Sequence, residues 1–159
     1  MNKFRSENEL GSIEVEASMD HWDQLINFGS DHIDRSVDDR SRVYKLKLAY
    51  EELLSNIIRA ASEQHGDAAS ISTNIEVSAI ERTDDGGSWF ILRTRDTGTQ
   101  FNPNFKERPS IDRNQPVHER AIGGLGLFLI RESVDHVSYE WSNGRNVYEL
   151  CMQSTTQAN

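Results

Sequence analysis

Two periods of apolar residues run along this chain, and the points where one gives way to the other divide it into elements. Residues 9–17 alternate Ile13 and Val15 with polar neighbours, which predicts a first strand at a sheet edge, and Asp20 is placed to cap a helix after it. Over residues 21–33 the spacing of Trp22, Leu25, Ile26, Phe28 and Ile33 predicts that helix. After the polar break SVDDRS the longest periodic segment, residues 42–63, gathers Leu46, Tyr50, Leu53, Leu54, Ile57, Ile58 and Ala61 on one helical face. Glu52, Asn56 and Arg59 fall on the other, so this helix carries a polar ridge. Residues 70–81 and 89–95 then read as two strands joined by the turn TDDGGS.

Residues 97–121 hold all three prolines, Pro103, Pro109 and Pro116, and show no period. A stretch of that length inside a domain predicts a lid or binding loop, over about 99–121. GGLGLFLIRESVD comes next as a glycine turn plus helix, and VSYEW and NVYELCM flank Ser142, Asn143, Gly144 and Arg145, a hairpin signal. The order β-α-α-β-β-loop-α-β-β predicts an α+β, two-layer sandwich with helices packed on one face of a mixed, mostly antiparallel sheet.

Length and composition narrow the class. At 159 residues the chain fits one domain, with its core at about 9–152, and 36% hydrophobic with 27% charged residues describes a globular protein. No apolar run approaches a membrane span and the polar start MNKFRSENELGS has no apolar stretch of a signal peptide, so the cytoplasm is the expected location. A single cysteine, Cys151, excludes an internal disulfide and leaves a zinc site short of ligands. The net charge of −9 argues against a grip on nucleic acid or anionic membrane; an anion bound here must be held locally, by backbone amides or a metal ion.

Three short motifs have the chemistry for that. Glu52 and Asn56 stand one helical turn apart and can address one ligand, Asn56 as a neutral hard oxygen of the kind Mg²⁺ takes beside phosphate, Glu52 as a proton acceptor. Asp96-Thr97-Gly98 closes a hydrophobic strand, where a buried carboxylate can accept from an exocyclic amine such as adenine's and Gly98 lets a flat ring approach the backbone. Gly123-Gly124-Leu125-Gly126 stands at a helix start, where free N–H groups favour a phosphate. Taken singly, these also describe a solvated helix face, a turn and a close-packed helix start. Neither a Walker motif nor a Rossmann glycine pattern is present.

In this order, E-x-x-x-N, D-x-G, lid and G-G-x-G resemble the N, G1 and G2 boxes of the GHKL (Bergerat-fold) ATPase superfamily. Within it, EELLSNIIRAA, DTGTQFNP and GGLGLFLIRESVDHVSY look most like the anti-sigma-factor serine kinases of bacterial partner-switching systems, the RsbW and sporulation type. The resemblance implies ATP with Mg²⁺ as cofactors and ADP as product, Asn56 as metal ligand, Glu52 as catalytic base and Asp96 as reader of adenine with Gly98 beside the ring. It places Gly124, Leu125 and Gly126 along the phosphates. It also implies a protein-serine/threonine kinase acting on a STAS-domain anti-sigma-factor antagonist, a sigma factor as second partner, and a homodimer. Arg59 and Ala60-Ala61, Gln100 and Asn146 depart from the commoner pattern, Asn146 standing where relatives often carry a small hydroxyl near the adenine.

Overall fold

The computed structural model describes residues 4–65, 72–101 and 122–153. β1 (Phe4–Glu16) leads through a 3₁₀ turn (Met19–His21) into α1 (Trp22–Ser36) and α2 (Arg40–His65). β2 (Asn74–Asp84), β3 (Gly87–Asp96), α3 (Ile122–Ser133), β4 (His136–Ser142) and β5 (Arg145–Gln153) complete the order. The strands form one sheet in the order β1-β2-β3-β5-β4, antiparallel at every pairing. The two-layer α+β sandwich is therefore as expected, and its sheet resolves to the antiparallel form. No helix among the described residues is long and apolar enough to cross a membrane.

All seven apolar residues assigned to the inner face of α2 are buried, because a helix of this length has to place its apolar stripe against the sheet to be stable. Ser18, rather than Asp20, supplies the cap at the first helical turn: its side chain accepts from the Asp20 N–H. Asp39 does the same for α2, accepting from the N–H groups of Ser41 at 2.8 Å and Arg42 at 3.3 Å. β1 begins well ahead of the alternating apolar stretch because its first half pairs with the far end of β2, Glu7 opposite Arg82 and Asn8 opposite Glu81.

Strand alternation decides which side chains meet the helices. On β3, Phe90 and Leu92 point into the main core, and on β5 so do Tyr148, Leu150 and Met152. Continuing by twos puts Thr94 and Asp96 of β3, and Asn146 of β5, on the same inner face. All three are buried.

The outer face carries a charge network in place of helices. Arg82 and Arg93 each reach both Glu7 and Glu149, Arg93 Nε donating to Glu149 at 2.7 Å and Arg82 Nη2 to Glu7 at 2.8 Å. Burial works against the Glu7 carboxylate, but the Arg82 hydrogen bond and the charges of Arg93 and Arg82 outweigh it and hold its pKa below the ordinary value. A carboxylate with a lowered folded-state pKa contributes stability above its unfolded pKa and loses it as pH falls through the folded value. Glu7→Gln should therefore cost ~1 kcal/mol or less at neutral pH, given solvent screening, and nothing at a pH below both values. Urea midpoints of the two proteins at neutral and acid pH check this.

Candidate functional site

A cavity of about 320 Å³ opens between α2 and the ends of β3 and β5, at the lower end of the usual ~300–1,000 Å³ for ligand sites. α2 lines it with Leu53, Asn56, Ile57, Arg59, Ala60, Ala61 and Glu63. Asp96, Gly98, Thr99, Gln100 and Phe101 close one side, with Thr73, Leu127, Asn146 and Tyr148 completing the wall. Leu53, Ile57 and Ala61 of that wall belong to α2's core stripe, and Phe101, Leu127 and Tyr148 add apolar surface from other segments.

Asp96 is the last residue of β3, so alternation fixes it inward while the chain leaves the sheet immediately after. It is 4% exposed, and its Oδ1 accepts from Gly98 N–H at 2.9 Å and Asn146 Nδ2 at 3.0 Å. Burial, the largest influence, raises its pKa, and those two donors partly offset the rise. A buried carboxylate whose described donors both fall on one oxygen is suited to accept from a ligand N–H group.

Asn146 lies directly opposite Asp96 in the β3–β5 register. Its Nδ2 donates to Asp96 Oδ1 and, at 2.9 Å, to the Thr99 carbonyl; its Oδ1 accepts from Phe101 N–H at 2.9 Å and from Tyr139 Oη–H at 2.6 Å. Tyr139 belongs to β4, opposite Tyr148, and its ring lies 5.1 Å from that residue's. From the sequence Asn146 stands out only as a departure from a motif, and Tyr139 does not stand out at all. Asn146 was detectable in part, since counting by twos back from Met152 turns it inward; the strand register that pairs it with Asp96 was not.

Asn56 is on the cavity wall, and its Nδ2 is buried with no hydrogen-bond partner among the described residues. Its Oδ1 accepts from Arg59 Nη1 at 3.2 Å. A neutral oxygen beside an orphaned N–H pair fits a metal–phosphate group, the oxygen as ligand and the amide as donor to a phosphate or a metal-bound water. Among the described residues no group of three or more His, Cys, Asp or Glu could hold a metal alone.

Of the residues singled out from the sequence, Asn56, Asp96 and Gly98 come together in this cavity. Glu52 is partly exposed on α2, one turn before Asn56, and is not among the described lining residues. The glycine turn expected before α3 is helical: α3 starts at Ile122, so Gly123, Gly124 and Gly126 stand within its first turns. The Leu125 side chain lies outside the described atoms, and the expected lid lies outside the described residues from 102 onward.

Residues 15–152 match the family model of the histidine kinase-like ATPase domain. A comparison with curated proteins finds no match.

Proposed function

Since the chain belongs to the family of histidine kinase-like ATPase domains, which bind ATP, we propose that it is a protein-serine/threonine kinase and anti-sigma factor acting on a STAS-domain antagonist. The observation that carries the reading is the meeting of Asn56 with Asp96 and Gly98 in one cavity. Asp96 accepts from the exocyclic amine of adenine, and Gly98 leaves room for the ring. Asn56 holds Mg²⁺, which when bound offsets the charge of the phosphates. The N–H groups of residues 122–124, in the first turn of α3, have no acceptor within the helix and suit phosphate oxygens, with Gly124, Leu125 and Gly126 along them.

In the reaction, the antagonist's hydroxyl oxygen bonds to the γ-phosphorus, the bond to the bridging oxygen breaks, and ADP leaves. Glu52 takes the hydroxyl proton. The sequence likeness to anti-sigma-factor serine kinases supports the choice of acceptor, and with it the sigma factor as second partner, the homodimer and a cytoplasmic location.

Incubating the protein with Mg-ATP and candidate STAS proteins, with mass spectrometry as the readout, tests this. Acid-stable phosphate on a Ser or Thr is expected, reduced about tenfold or more by Asn56→Ala and by Glu52→Ala. Unchanged labelling in Asn56→Ala would sink the metal assignment, and in Glu52→Ala the base assignment.

A second reading has support of its own. Glu52 stands off the cavity lining, and Arg59 engages the oxygen a metal would need, as suits a domain that binds nucleotide only to set its shape for a partner. It predicts nucleotide binding without labelled antagonist in the same assay.

A further inference from the structure

We propose that Asn146 is a positioning residue for nucleobase recognition: it fixes the Asp96 carboxylate and the 99–101 segment to each other, leaving the base to be read by Asp96. The inference rests on the proposed role of Asp96 and goes beyond it to the group that makes that role possible.

The geometry is of a saturated amide. An asparagine side chain has two N–H donors and two acceptor positions, and all four of Asn146's are spent, on Asp96, Thr99, Phe101 and Tyr139. Turning the amide over would set its NH₂ against the Phe101 N–H and its oxygen against a carboxylate and a carbonyl, so the network itself fixes the orientation. With nothing left to offer a ligand, Asn146 acts on the base only through its neighbours. Toward Asp96 it presents one N–H to Oδ1, and with Gly98 N–H it accounts for both of that carboxylate's hydrogen bonds among the described residues. Toward the segment after Gly98 it grips a carbonyl and an N–H two residues apart, which holds Phe101 at the cavity wall. A small hydroxyl at this position could make at most part of that set.

The consequence is read in pH. Burial favours the neutral carboxyl of Asp96, and the Asn146 N–H works the other way. Acceptance from an exocyclic amine needs the ionised form, so affinity should fall at acid pH, with its limb set partly by Asn146. The other titratable or charged groups around Asp96 come from three elements. Tyr139 of β4 and Tyr148 of β5 both have raised pKa values, chiefly through burial. On α2, Arg59 and Glu63 line the same cavity.

Affinity for Mg-ADP measured by calorimetry on the full chain, from about pH 5 to about pH 8, tests the assignment with two near-isosteric variants. Asn146→Leu removes the donor; Asn146→Asp replaces it with a like charge. The acid limb should move up by about one pH unit in Asn146→Leu and further in Asn146→Asp, with about tenfold weaker binding at neutral pH in the former. A uniform loss of affinity with the limb unmoved, or no loss at all, would overturn the proposal. Should Asn146→Leu fail to fold, Asn146→Asp still carries the test. Asp96→Asn on the wild-type background separates the two levels: unchanged affinity there removes the reading of Asp96, whereas lost affinity there with an unmoved limb in the Asn146 variants removes this inference alone.

Discussion

Asp96→Asn should weaken nucleotide binding by about 100-fold or more while leaving the ligand-free protein as stable as the wild type, or more stable, at neutral pH. The two effects have one origin. Asp96 lies in a site that is 4% exposed, where burial raises its pKa more than Asn146 and Gly98 lower it. A group whose folded-state pKa lies above its unfolded value contributes stability below the unfolded value and loses it as pH rises through the folded one, so at neutral pH the bare carboxylate is a cost to the fold. An asparagine of the same shape keeps an oxygen for Gly98 and Asn146 and carries no charge to desolvate. It also puts an N–H pair where the ligand's amine needs an acceptor. Calorimetric titration with Mg-ADP and urea unfolding across pH measure both, and the stability difference should widen as pH rises through the Asp96 titration. Tight binding by Asp96→Asn, or a stability loss without pH dependence, contradicts this account.

The same residue shows what the sequence could and could not reveal. That Asp96 closes a strand and precedes a glycine turn was legible, because alternation from Phe90 and Leu92 turns it inward. Legible too were the stripe of α2, whose period of 3.6 is enforced by burial, and the hairpin at Asn143 and Gly144, whose φ values of 54° and 76° are the left-handed pair such a two-residue turn requires. The hidden part depends on relations between distant segments. Register set Asn146 opposite Asp96, and the start of β1 was set by its pairing with the far end of β2 rather than by its own alternation. The helical state of Gly123, Gly124 and Gly126 runs against the low helix propensity of glycine, which is why they read as a turn. Glu52 and Asn56 share a helix face by periodicity, yet that spacing did not decide whether both reach one cavity, and only Asn56 lines it.

Gly29→Ala should destabilise the protein by about 2 kcal/mol, against the usual direction for a glycine inside a helix. An alanine in mid-helix is ordinarily favoured over glycine by ~1 kcal/mol. Here a Cβ would lie 2.2 Å from Tyr50 Cε2, 2.7 Å from Cζ and 2.8 Å from Cδ2, so α1 and α2 approach through the absent side chain. The ring cannot simply turn aside: Tyr50 is 1% exposed, and its Oη–H donates to the Leu25 carbonyl at 2.7 Å. Moving it costs ~1–3 kcal/mol of overpacking and puts at risk a buried hydrogen bond whose loss costs a similar amount, which together outweigh the propensity gain. The expected fall in melting temperature is roughly 4–8 °C for a domain of this size. Tyr50→Leu supplies the decisive comparison, because with the ring gone Gly29→Ala should become neutral or stabilising. If Gly29→Ala is stabilising on the wild-type background, the contact does not set the α1–α2 spacing. The effect also reaches the site, since α2 carries both Tyr50 on its buried stripe and Asn56 on the cavity wall, so a displaced α2 should weaken Mg-ADP binding in the folded variant as well.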